Sequence, residues 1–123
     1  MLADIQARMA YSDPTAPVRT ARSTEAQLFQ RITRRLREAV QSENSQRLAE
    51  ALHENRRIWR TVAILVADEQ NGLPAELRAR LFSLHEFTDR HTSKVLAHEA
   101  DPAVLIDINT AVMRGLAGQG GGA

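Results

Sequence analysis

Leu28, Phe29, Ile32, Leu36, Ala39 and Val40 recur every three to four residues, the rhythm that gathers side chains on one face of an α-helix. A first helix is expected to start near Thr20 to Thr24, where Thr24 followed by Gln27 fits a capping box. Its opposite face carries Arg31, Arg34 and Arg37, with Arg35 at the edge. "QSENSQ" breaks the rhythm, and Asn44 or Ser45 is suited to cap the next helix. That second helix is expected from about Gln46 to Asp68, with Leu48, Leu52, Asn55, Trp59, Val62 and Val66 in a narrow arc. Its last two turns, "VAILVA", are apolar on every side, and Ile64 points opposite Leu48. Such a helix end is either buried all round or offered to a partner.

Asn71-Gly72 ends this pattern and Pro74 suits the first turn of a third helix. The third stripe is Leu77, Leu81, Leu84, Thr88, His91 and Val95, running to about Ala97, with Phe82 and Phe87 flanking it on opposite sides. "HEADPAV" stops it, and Asp101 followed by Pro102 starts a fourth helix. That helix carries Leu105, Ile108, Asn109, Val112 and Leu116 on one arc, widened by Ile106 and Met113. Upstream of the first helix, "YSDPTAPV" cannot continue a helix begun by "MLADIQARMA". Residues 1–19 are therefore read as an arm that docks on the domain or stays mobile, with Tyr11 as its anchor. Residues 20–117 form the helical domain, and the glycine-rich residues 118–123 are read as a disordered tail. Short connections between four amphipathic helices imply an all-α, small antiparallel bundle.

Composition narrows this picture. A chain of 123 residues is the size of one domain. Aromatics are only 4%, and Ala, Leu, Arg, Glu and Gln dominate, which favours helix over sheet. The net charge of +1 gives no strong long-range steering. Without cysteine there is no disulfide, thiolate metal site or thiol nucleophile. The first residues lack the apolar core of a secretory signal, and the longest uncharged apolar run, "TVAILVA", is far short of a bilayer span. The expected location is the cytoplasm.

No catalytic chemistry stands out. His85 and Asp89 share a helix face, but two ligands are too few for a selective metal site. His53 and His85 read as surface residues and His91 as a half-buried polar group. Glycines that could cradle phosphate occur only at the end of the chain, with no helix after them. Neither an enzyme nor a cofactor is expected.

Polar residues inside apolar stripes are more informative. They are Asn55 in the second helix, Thr88 and His91 in the third and Asn109 in the fourth. A buried amide left unsatisfied costs roughly 1–3 kcal/mol. These groups therefore either bond to one another and fix the register of the helices, or line a groove and wait for a peptide. The arginines of the first helix allow a separate reading, contact with RNA phosphates through Arg31, Arg34 and Arg37. No aromatic is interleaved among them to stack on bases.

Four segments in series, "AEALHENRRIW", "GLPAELRARLFSL", "DRHTSKVL" and "LIDINTAVMRGL", resemble the flagellar biosynthesis regulator FlaF. "MAYS" and the approach to "TEAQLFQRITRRL" are similar to the opening of that family, so the likeness spans about Ala10 to Leu116. The resemblance implies a cytoplasmic positive regulator of flagellin synthesis and secretion, a chaperone of unassembled flagellin that opposes the repressor FlbT. It implies no catalytic residues and no cofactor. On the matching positions, Asn55, Arg56, Trp59, Asp89, His91, Asp107 and Asn109 become the expected partner-binding residues. The apolar turn of the second helix adds Ile64. Asp107 falls on the polar face of its helix, which suits a partner arginine or a neighbouring helix. The alternative is an RNA-associated regulator of flagellin translation.

Overall fold

The computed structural model describes the backbone of residues 16–121 and the side chains of residues 26–115. Its described elements are four helices: α1 (Ala16–Ser42), α2 (Ser45–Ala67), α3 (Ala75–Leu96) and α4 (Ala103–Gly121), with a 3₁₀ turn at Glu69–Asn71 after α2. The expected all-α antiparallel bundle is the observed fold.

The connections follow from cap chemistry. Asn44 opens α2 by accepting hydrogen bonds from the backbone N–H groups of Gln46 and Arg47 through one side-chain oxygen. Asp101 opens α4 in the same way, accepting from the Ala103 N–H at 2.8 Å. Between α2 and α3 the chain reverses through Gly72 at φ 91°, a left-handed conformation that glycine enters without steric cost. The Arg78 guanidinium reaches back to the Val66 and Asp68 carbonyls. A cation there complements the carbonyl-rich end of α2.

One boundary differs from the sequence expectation. The first helix begins at Ala16, not between Thr20 and Thr24, so residues 16–19 are helical rather than part of an arm. Pro17 lies in the first turn, where a missing N–H leaves no hydrogen bond unmade. Thr24 therefore lies inside the helix, not at its start. At the other end, helical backbone reaches Gly121, within the stretch read as a tail. The rest of the expected arm, residues 1–15, and the last two residues of the expected tail lie outside the described residues.

The core has two layers. At the middle of α1, Phe29, Ile32, Ile58, Trp59, Val66 and Leu81 are buried together. Towards its end, Leu36, Ala39, Ala51, Leu52, Val95 and Leu105 form the second cluster. Trp59 is 1% exposed and meets Phe29 edge-on, with ring centroids 5.5 Å apart. The helices do not close evenly around this core. α2 packs along both α1 and α3, and α4 packs along α1, whereas α3 and α4 barely touch.

Candidate functional site

Two of the polar residues that interrupt the apolar stripes, Asn55 and Asn109, meet at the centre of the bundle. Thr33, Asn55, Thr88, Thr92 and Asn109 are all buried. Trp59 Nε1 donates to Asn109 Oδ1 at 2.9 Å. Because an indole nitrogen only donates, this contact fixes which end of the Asn109 amide is oxygen. The Asn109 NH₂ then donates to Asn55 Oδ1 at 2.7 Å and to Thr33 Oγ1 at 3.2 Å. The Thr33 hydroxyl in turn donates to the Phe29 carbonyl at 2.7 Å. One amide on α4 is thus tied to α1 and twice to α2. The remaining Asn55 Nδ2 is buried without a hydrogen-bond acceptor.

α3 stands apart from this network. Its buried Thr88 and Thr92 donate to the His85 and Thr88 carbonyls of α3 itself. The polar bonds holding α3 to α2 lie at the edge instead. Arg56 donates from one guanidinium nitrogen to the Asp89 carbonyl and to Ser93 Oγ, each at 2.7 Å. Its Nε also lies 2.9 Å from Asp89 Oδ1. That approach is off-line for a hydrogen bond and counts as a charge contact, since neither atom has a bonded partner. Arg60 adds a looser contact to the same carboxylate at 3.6 Å. His91 is half-buried, with Nε2 2.8 Å from the Asp101 carbonyl and its ring stacked on Phe87. His85, expected at the surface, is also half-buried, one turn from Thr88.

The eight residues proposed from sequence therefore fall in three places. Asn55, Trp59 and Asn109 lie in the core, occupied with one another. Arg56, Asp89 and His91 hold α3 against its neighbours. Only Ile64 and Asp107 are exposed. Of these, Ile64 is the unusual one. It is 73% exposed, while Ala63 and Val66 on the same turn are buried. Arg31, Arg34 and Arg37 are exposed along α1, and Arg35 between them pairs with Glu54 across to α2 at 2.8 Å.

The uneven packing leaves a surface feature that the sequence stripes did not single out. Between α3 and α4 runs a groove of about 300 Å³, lined by Leu77, Leu81 and Leu84 on one side and Ile108, Val112 and Gly115 on the other. Arg80 is its single charged lining residue. The apolar residues of these walls belong to the same stripes that serve the core, so periodicity counted them as buried. No helix among the described residues is long and apolar enough to cross a membrane.

Comparison with known proteins gives one match. The chain fits the family described as flagellar protein FlaF over residues 7–116. Neither the curated proteins nor the solved structures contain a match.

Proposed function

The chain belongs to the flagellar protein FlaF family, and from that premise we propose that it promotes flagellin synthesis and secretion by binding unassembled flagellin as a cytoplasmic export chaperone. The observation that carries this reading is Ile64. A large aliphatic side chain that is 73% exposed on a helix whose other face is core has no stabilising role in the free protein. A partner that covered it would gain about 25 cal/mol per Å² of apolar area removed from water. Segments that are disordered alone and helical when bound suit such surfaces, because the partner supplies the missing apolar face. Binding by Asn55, Trp59 or Asn109 is indirect in this reading, since their role is to hold the helix that displays Ile64. Asp107 is exposed and available to a basic group on the partner. The repressor FlbT is a second partner to test.

The experiment is co-purification of purified flagellin with the wild-type chain and with Ile64→Gln. Retention by the first and loss by the second is the expected result. No retention of flagellin by the folded wild-type chain would sink the reading.

A second reading uses the exposed row Arg31, Arg34 and Arg37 to hold flagellin messenger through its phosphates. It requires RNA affinity that falls with salt and weakens when the three arginines become glutamines. Affinity indifferent to those substitutions would remove it.

A further inference from the structure

The exposed Ile64 has an aromatic counterpart across the seam between α2 and α3. Arg56 on α2 bonds the Asp89 carbonyl and Ser93 on α3, and Arg78 on α3 reaches the Val66 and Asp68 carbonyls at the end of α2. These bonds set the register of an antiparallel pair. Eight residues on from Arg56 is Ile64, and seven residues back from Asp89 is Phe82. The two therefore stand at the same height to within about one residue rise, 1.5 Å. They also share an edge. Ile64 lies one turn beyond Arg60 and Phe82 lies two turns before Asp89, and Arg60 touches Asp89 at 3.6 Å. Ile64 is 73% exposed and Phe82 42% exposed, so neither is used up by the core. Three residues on along α2 and three back along α3, Ala67 and Ala79 are exposed at matching heights. Methyl groups there leave room for a helix laid along the seam to come close.

The charges beside this pair are positive in excess. Arg57, Arg60 and Ile64 follow one another along one row of α2. Arg57 is exposed and makes no ion pair among the described residues, and Arg60 is 63% exposed with only its loose contact to Asp89. That carboxylate is already held by Arg56 at 2.9 Å. Glu86, one turn beyond Phe82, is the acidic side chain on this edge without an ion pair. Two weakly engaged guanidinium groups thus stand against one unpaired carboxylate, and a basic partner would meet like charge. We propose that this edge seats an acidic amphipathic helix. Its aliphatic side chains cover Ile64 and Phe82, and its Asp or Glu residues, roughly one to two turns away, pair with Arg60 and Arg57. Such a seat rests on the reading of Ile64 as the flagellin-binding turn, and adds to it a second anchor and the sign of the partner's charge.

Purified flagellin is the probe, titrated against the full chain and its variants at low and at physiological ionic strength. Phe82→Gln is expected to weaken the complex at least about tenfold. Arg57→Glu with Arg60→Glu is expected to weaken it at least about tenfold at low salt, while Arg57→Lys with Arg60→Lys, which keeps the charge, stays within about threefold of wild type. Raising the ionic strength should weaken the wild-type complex and narrow its lead over the glutamate pair. Far-UV helicity and urea midpoints are read on the same preparations. Should Phe82→Gln fail to fold, the arginine pair decides, since both of its side chains are exposed. If Ile64→Gln loses flagellin while the folded Phe82→Gln chain and the glutamate pair keep it, the wider seat is overturned and Ile64 remains the binding turn. Tighter binding by the glutamate pair also overturns the acidic occupant. No binding of flagellin by the wild-type chain overturns both readings together.

Discussion

The Trp59 indole and the Asn109 amide are joined by a 2.9 Å hydrogen bond between α2 and α4, and that bond sets the polarity of the whole buried network. The indole can only donate, so Asn109 must accept there and donate elsewhere. Its donors then select Asn55 Oδ1 and Thr33 Oγ1. Three helices are registered by one amide, while α3 is held at its edge by Arg56. The buried network thus ties α1, α2 and α4 together, while α3 packs along α2 without joining it, and the groove opens between α3 and α4.

Asn109→Leu keeps roughly the volume and removes every bond of the amide. Trp59 Nε1 and Asn55 Oδ1 would be left buried without partners, at roughly 1–3 kcal/mol for each orphaned group. The expected loss is about 2–5 kcal/mol in urea unfolding, read by the fluorescence of the only tryptophan. Asn55→Leu with Asn109→Leu should cost less than the sum of the two single changes, because the second removes a group that the first had orphaned. Strict additivity would show that the two amides do not act as a unit.

Arg56 and Arg60 touch the same carboxylate and should differ sharply. The Arg56 side chain is 15% exposed and also bonds the Asp89 carbonyl and Ser93, whereas that of Arg60 is 63% exposed at 3.6 Å. Arg56→Ala is expected to cost about 2 kcal/mol, with Arg60→Ala within about 0.5 kcal/mol of wild type. Arg56→Lys should recover only part of the loss, since an ammonium cannot reproduce the fork of contacts. Amide hydrogen exchange should show faster opening of α3 in the Arg56→Ala chain while α1 and α4 stay protected.

Much of this was legible in the residue pattern, for physical reasons. Caps such as Asn44 and Asp101 act on backbone two or three residues away, so local sequence specifies them. The apolar arcs located the core, and the isotropic "VAILVA" turn pointed to Ile64 as the residue without a place in it. What escaped were relations between distant segments. Asn55 and Asn109 could be recognised as polar groups needing partners, but their mutual bond depends on the height at which α4 docks. Thr33 and Thr92 were missed because a threonine bonded to its own helix looks like any polar position in a stripe. The start of α1 was misplaced because Pro17 is a helix breaker inside a helix and a good residue in its first turn. The open α3–α4 seam had no local signal, since four stripes and short loops fit an evenly closed bundle equally well.

Glu43 and His98 end α1 and α3 at φ 56° and 61°. At His98 the Glu99 N–H returns to the Lys94 carbonyl at 2.8 Å, the Schellman closure that usually carries glycine. His98 is exposed, and among the described residues its side chain makes no hydrogen bond that glycine would remove. Relief of left-handed strain outweighs the added freedom of the unfolded chain. His98→Gly is expected to raise stability by about 0.5–1 kcal/mol, seen as a higher midpoint in urea at unchanged slope. The converse change, Gly72→Ala at φ 91°, should lower stability by a similar amount.

Ile64 separates stability from binding. Its side chain is 73% exposed, whereas Trp59, five residues earlier, is 1% exposed. Trp59→Ala empties a core site and should cost about 3–5 kcal/mol, enough to unfold a small domain. Ile64→Gln changes a mostly exposed side chain and replaces a β-branched residue with a better helix former, so stability should stay within about 0.5 kcal/mol or rise slightly. If flagellin is held through this turn, the glutamine variant will be as well folded as wild type and will fail to retain it. Parallel urea curves and flagellin pull-downs on the same preparations check both halves. A destabilised Ile64→Gln would mean that this side chain supports the fold, and full retention of flagellin by a stable one would place the partner on another face.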